Sequence, residues 1–165
     1  MEEDNALDNR LSKIENLIQE CKFGIHDLSR TEVNSYLLPR FNMPFEAGIF
    51  FGAKKFGNKQ QKTKVALVLE RQKHLYQQFI SDLNGIDTKA HNNEPKKAIK
   101  IVRDWLQSSS GRLAIDGHLK IINDYERYTN DILPNLVQIS GLEISDLTFN
   151  DYCLCVESSL APFMG

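Results

Sequence analysis

Apolar positions along the chain recur with two different periods. Leu7, Leu11, Ile14, Ile18 and Cys21 step by three and four, with Leu17 widening the stripe. This spacing predicts an amphipathic helix over about 7–20. A short strand over Lys22–Leu28 follows, then a polar loop, Ser29–Phe41, that contains Pro39. Proline has no N–H and restricts the residue before it, here Leu38. Pro44 suits the first helical position, so a second helix is predicted from there to about Lys55, with Gly57 as its stop. Lys64–Leu69, KVALVL, is apolar without alternation and rich in β-branched residues. Such a segment predicts a central parallel strand buried on both faces.

Further along, Tyr76–Leu83 predicts a short helix closed by Asn84-Gly85, and Ile86–His91 a brief third strand. Pro95–Leu106 predicts a helix with Ile99, Val102, Trp105 and Leu106 facing inward. Ser108–Gly111 marks a linker, followed by helices over Leu119–Tyr128, Ile132–Ile139 behind Pro134, and Phe149–Leu160. Alternating helix and strand is the grammar of a doubly wound α/β sheet. In such sheets ligands bind outside the carboxyl ends of the strands, where Asp27 ends the first one. The chain opens on a helix and shows three strands, so a preceding strand and its βα loop are expected to be missing. Residues 1–110 are read as the α/β domain, and 111–165 as a helical extension packed on the same domain.

Composition narrows the function classes. The 165 residues include 20 basic and 22 acidic side chains, a net charge of −2. That balance disfavours a nucleic-acid partner, which calls for a basic surface. The local surplus of Lys54, Lys55, Lys59, Lys62 and Lys64 is expected to be a solvated loop. No apolar run reaches the length of a membrane span, and the acidic start, MEEDNALDNR, is unlike a signal peptide. Three cysteines without a CxxC pair point to a reducing, cytoplasmic setting. Cys153 and Cys155 have no histidine near them in sequence, so neither a metal nor another cofactor is expected. The phosphate-loop, dinucleotide, nucleophile-elbow and zinc-protease motifs are absent.

The residues with chemistry to offer lie between Phe23 and Gly57. With Met43 as N-cap, Glu46 is the third residue of the second helix, in its first turn, where an acid can complement the dipole or close a capping box. It can equally be a carboxylate aimed at a sugar C1′, as nucleophile or oxocarbenium stabiliser. Asp27 can cap a loop or accept a hydrogen bond from a base or ribose hydroxyl. Ser29 and Arg30 extend past the strand to the cleft edge, Arg30 pairing with a phosphate or with Glu32. Asn42 can cap the helix or bond a ribose, and Phe41 can stack on a base or fold onto the core. His26 is expected on the covered face as a core histidine. Phe45, Ile49, Phe50, Phe51 and Phe56 are expected in the core, with Gly48 and Gly52 permitting close approach of helix and sheet.

Two segments, Gly24–Arg30 (GIHDLSR) and Arg40–Gly48 (RFNMPFEAG), together resemble the nucleoside 2-deoxyribosyltransferase-like and TIR-like superfamily. Within it they are similar to a small bacterial nucleotide-binding-type family with HD[LI]SR and PRFNMP. The resemblance covers about residues 10–106. It implies a flavodoxin-like three-layer sandwich with a mostly parallel sheet, and cleavage or transfer at the N-glycosidic bond of a nucleoside, nucleotide or NAD. It assigns Glu46 as the catalytic glutamate, with Asp27, Ser29 and Asn42 in the pocket, and it implies self-association. Ala47 departs from the usual leucine, and the superfamily's opening strand is absent. A non-catalytic nucleotide sensor, for instance in bacterial stress or phage defence, shares the same pocket and differs in turnover.

Overall fold

Three parallel strands in the order β1-β2-β3 form the sheet: β1 (Phe23–Asp27), β2 (Val65–Glu70) and β3 (Lys89–Ala90). The register pairs Phe23 with Val65 through Asp27 with Leu69, and then Leu69 with Lys89 and Glu70 with Ala90. The computed structural model describes residues 9–29, 41–83, 85–111 and 114–160. The chain divides into two compact units, with the boundary at Ile115/Asp116.

In the α/β unit, α1 (Arg10–Glu20) precedes the sheet, α2 (Asn42–Phe56) joins β1 to β2, and α3 (Pro95–Ser109) follows β3. The side chain of Asn9 caps α1 by accepting from the Leu11 N–H at 3.0 Å. β2 is the buried strand its composition predicts, with Leu67, Val68, Leu69 and Glu70 all inside. Leu28, Val68 and Tyr76 form a core cluster, against which Met43, Phe51, Ile80, Leu83 and Ile86 pack. Phe50 and Ala47 bury the inner face of α2, whereas Phe45 and Phe56, expected in the core, are exposed. Gly48 and Gly52 face open space; the close-approach glycine is Gly24, on the strand.

Local chemistry accounts for three further departures. Tyr76–Leu83 makes two 3₁₀ turns, Leu75–Gln78 and Ser81–Leu83, in place of a helix. The segment is too short to bear the nucleation penalty of an α-helix. α3 runs on through the serines expected to form a linker: it ends at Ser109, the Ser110 N–H still bonds the Leu106 carbonyl, and the Ser108 and Ser110 hydroxyls donate back to the Asp104 and Leu106 carbonyls instead of opening a turn. Gly111, at φ +67, then adopts the left-handed conformation beyond the helix. Lys64 is no surface lysine: it is buried, and its Nζ donates to the carbonyls of Ile18 and Cys21 at the end of α1, the latter at 2.6 Å. It thereby partners carbonyls that a helix end leaves without intrahelical donors. Burial holds the Lys64 ammonium below the ordinary lysine value, against a smaller opposing effect of Cys21.

The second unit, from Asp116, is helical: α4 (His118–Arg127), a π-helical turn (Tyr128–Ile132), α5 (Leu133–Ile139) and α6 (Phe149–Leu160). The predicted gap between Tyr128 and Ile132 is this π turn, in which the Leu133 N–H reaches the Tyr128 carbonyl. Pro134 follows immediately and has no N–H for an α-helical bond, so the backbone widens just ahead of it. At the start of α6, Thr148 and Asp151 bond reciprocally, the Thr148 N–H donating to Asp151 at 3.0 Å and the Asp151 N–H to the Thr148 hydroxyl at 3.2 Å. No described helix is long and apolar enough to cross a membrane.

Candidate functional site

The carboxyl edge of the sheet carries a polar network built from the two outer strands. Asp27 ends β1, Ser29 lies two residues beyond it, and His91 directly follows β3. The Asp27 Oδ1 accepts the Ser29 N–H at 2.9 Å and also the Ser29 hydroxyl. The same hydroxyl oxygen lies 2.5 Å from His91 Nε2, and that nitrogen is 3.5 Å from Asp27 Oδ1. Ser29 and His91 are buried, while about half of the Asp27 side chain is exposed. Asp27 Oδ2 has no hydrogen-bond partner among the described residues, on a side chain that is about half exposed.

The turn after β3 fixes the direction of this network. Asn92 and Asn93 both adopt φ of 58°, a left-handed conformation that asparagine tolerates better than most residues. It presents the Asn93 N–H to His91 Nδ1 at 3.1 Å. Nδ1 is thus an acceptor, and hydrogen-bond logic places the proton of a neutral imidazole on Nε2. His91 then donates to Ser29, and Ser29 donates to Asp27. A serine, a histidine and an aspartate in contact invite comparison with a nucleophilic triad, yet in this tautomer Nε2 has no lone pair to take the serine proton. Base-activated serine chemistry of the triad type is therefore not built here.

Glu46 belongs to a different feature. α2 begins at Asn42, with Phe41 as N-cap, so Glu46 is its fifth residue and stands beyond the first turn. A dipole or capping-box role, which acts within that first turn, does not account for it. Glu46 lines a cleft of about 220 Å³ with Met43 and Phe50 of α2, residues of α1, and Phe23–His26 of β1. It makes no hydrogen bond or ion pair among the described residues. His26 beside it is buried, with Phe50 and Phe51 edge-on at 5.0 and 5.7 Å. Burial lowers the pKa of His26 below the ordinary 6.5, so the imidazole is neutral at physiological pH. Its Nε2 has no partner among the described residues, unlike a fully satisfied core histidine.

Strand alternation keeps the two acids apart. Along β1, Gly24 and His26 point to one face and Phe23, Ile25 and Asp27 to the other. Phe50 and Phe51 of α2 meet His26, whereas Trp105 of α3 meets Phe23 at 5.8 Å. Asp27 and Ser29 are joined to each other and to His91, but neither lines the Glu46 cleft. Asn42 and Phe41 are both exposed, and no side chain caps α2. Arg30 lies outside the described residues, as does most of the loop that follows Ser29.

His91 is the member of this network that hydrophobic patterning does not single out. It ends the predicted third strand, and its signal in sequence is the HNNEP run: two asparagines able to turn, then a proline at the start of a helix. Glu70, at the end of β2, is equally buried; its Oε1 accepts from the Thr88 hydroxyl and from the His74 N–H at 3.1 Å, and its Oε2 has no partner among the described residues. No group of three His, Cys, Asp or Glu side chains among the described residues is placed to hold a metal. The helical unit has its own cleft of about 580 Å³, lined in part by Tyr125, Tyr128 and Leu160. Neither a protein-family model, nor a curated protein, nor a solved structure matches the chain.

Proposed function

We propose that this protein processes the N-glycosidic bond of a nucleoside, nucleotide or NAD, with Glu46 as the carboxylate that meets the sugar. The α/β unit is in this reading flavodoxin-like, with helices on both sides of the sheet, and the ligand lies across the carboxyl end of β1, its sugar in the Glu46 cleft and another part reaching Asp27. One observation carries the proposal: Glu46 is a half-buried carboxylate in a largely apolar cleft, beside a neutral histidine and without a partner among the described residues. Breaking a C1′–N bond develops positive charge on the sugar. A carboxylate in a low-dielectric cleft stabilises that charge far better than one in water, or traps it covalently. Nicotinamide in NAD is already cationic and leaves without a proton, which suits a site with one such acid. A neutral purine needs an acid as well, and Asp27, on the other strand face and outside this cleft, is not placed to supply it.

A second reading, a nucleotide-binding module without turnover, is favoured by the separation of Asp27 and Glu46 onto opposite strand faces. One assay divides the two. Wild type and Glu46→Gln are incubated with NAD, deoxynucleosides and nucleotides, and free base is measured by chromatography. The proposal expects base release that falls about 100-fold or more in Glu46→Gln. Equal nucleotide binding by both proteins with no base released by either leaves the binding module.

A further inference from the structure

We infer that His91 is a positioning residue of the ligand site: through Ser29 it holds the Asp27 carboxylate with one oxygen turned inward and the other presented to the ligand. The inference rests on the reading that the carboxyl edge takes a nucleoside-type ligand. The geometry has three parts. The Asn93 N–H at 3.1 Å fixes His91 Nδ1 as an acceptor and Nε2–H as the donor. Ser29, buried and 2.5 Å from Nε2, accepts that proton's bond and passes its own to Asp27 Oδ1. Oδ1 also takes the Ser29 N–H, so this oxygen is committed to the protein.

What remains for a ligand is Oδ2, an acceptor on a half-exposed side chain. An oxygen set in this way recognises hydrogen-bond donors: the hydroxyls of a ribose, or the amino edge of a base. It repels phosphate. Sequence-distant β3 thus shapes what β1 binds, because a carboxylate free to rotate would present two equivalent oxygens. Removing the donor at position 91 leaves Ser29 free to turn away from Asp27, and the ligand then loses one well-placed acceptor. A side chain that keeps an N–H near the Nε2 position keeps the arrangement.

The test uses the full chain and two readouts. The first needs no ligand: long-range ¹H–¹⁵N correlation of the imidazoles should show His91 as the Nε2–H tautomer in wild type. The second is calorimetric titration with adenosine, 2′-deoxyadenosine and 6-deamino purine riboside against wild type, Ser29→Ala, His91→Leu and His91→Gln. His91→Leu and Ser29→Ala should weaken adenosine binding about tenfold, the effect of one misplaced hydrogen bond, while His91→Gln stays within about threefold. The tenfold gap should close for the deoxynucleoside if the ribose is the donor, and for the purine riboside if the base is. An Nδ1–H tautomer, or adenosine binding by His91→Leu as tight as wild type, overturns the inference while the function stands. Adenosine binding with the expected His91 dependence, but no base released from any substrate, removes the glycosidic chemistry alone. A wild type that binds none of the three removes both.

Discussion

His26 is the residue whose burial has the plainest measurable consequence. Its imidazole is neutral because burial against the rings of Phe50 and Phe51 disfavours the imidazolium. In the unfolded chain it titrates at the ordinary 6.5. Between that value and the lower folded one, the unfolded state binds more protons, so stability rises with pH through this interval. The contribution is fully present above 6.5, is lost as pH falls toward the folded value, and is level beneath it. Urea midpoints at pH 5 and 7.5 should therefore differ more in wild type than in His26→Leu; an identical difference in both contradicts the account. The residues of the candidate site were legible to different degrees for a related reason. Asp27 and Glu46 announce themselves because an acid that ends an apolar run, or stands early in a helix, is conspicuous in one dimension. His91 does not, since its partner Ser29 lies 62 residues away and only parallel pairing across β2 brings them together.

At the level of elements, β1 and α2 meet through a glycine that sequence pattern placed in the wrong partner. A methyl group on Gly24 lies 2.7 Å from the Phe50 ring and 2.8 Å from His26 Nε2. Gly48 and Gly52, which looked like the small residues of a helix–sheet contact, have nothing within 4 Å. Gly24→Ala should accordingly destabilise the fold by about 1–3 kcal/mol, the usual cost of overpacking, whereas Gly48→Ala should raise stability by up to about 1 kcal/mol through helix propensity. Chemical denaturation measures both, and equal effects of the two changes contradict the packing described. The order and type of the main elements were readable because α1, α3 and β2 are strongly periodic or uniformly apolar. Their ends were not. The start of α2 at Asn42, the run of α3 through serines and the π turn before Pro134 depend on single hydrogen bonds that no hydrophobic period encodes.

Across the whole molecule, the chain divides into an α/β unit and a helical unit, and the residues with site chemistry all lie in the first. Parallel pairing places three strand ends side by side: Asp27, Glu70 and His91 come from one edge although they are scattered over 64 residues of chain. The parallel topology was legible in the unbroken apolarity of β2 and in the helix between each pair of strands. The pairing of Asp27 with His91, and the placing of Glu46 against the opposite strand face, required coordinates. The central claim is that a nucleoside-type ligand binds at this carboxyl edge. Its most direct test is a titration of the ¹⁵N-labelled full chain with NAD and adenosine, followed by amide chemical shifts. The account predicts that His26 and Glu46 on one side of β1, and Asp27, Ser29, His91 and Asn93 on the other, shift together and saturate with one affinity. Shifts confined to the cleft around Tyr128 in the helical unit, or no shifts at all, contradict it.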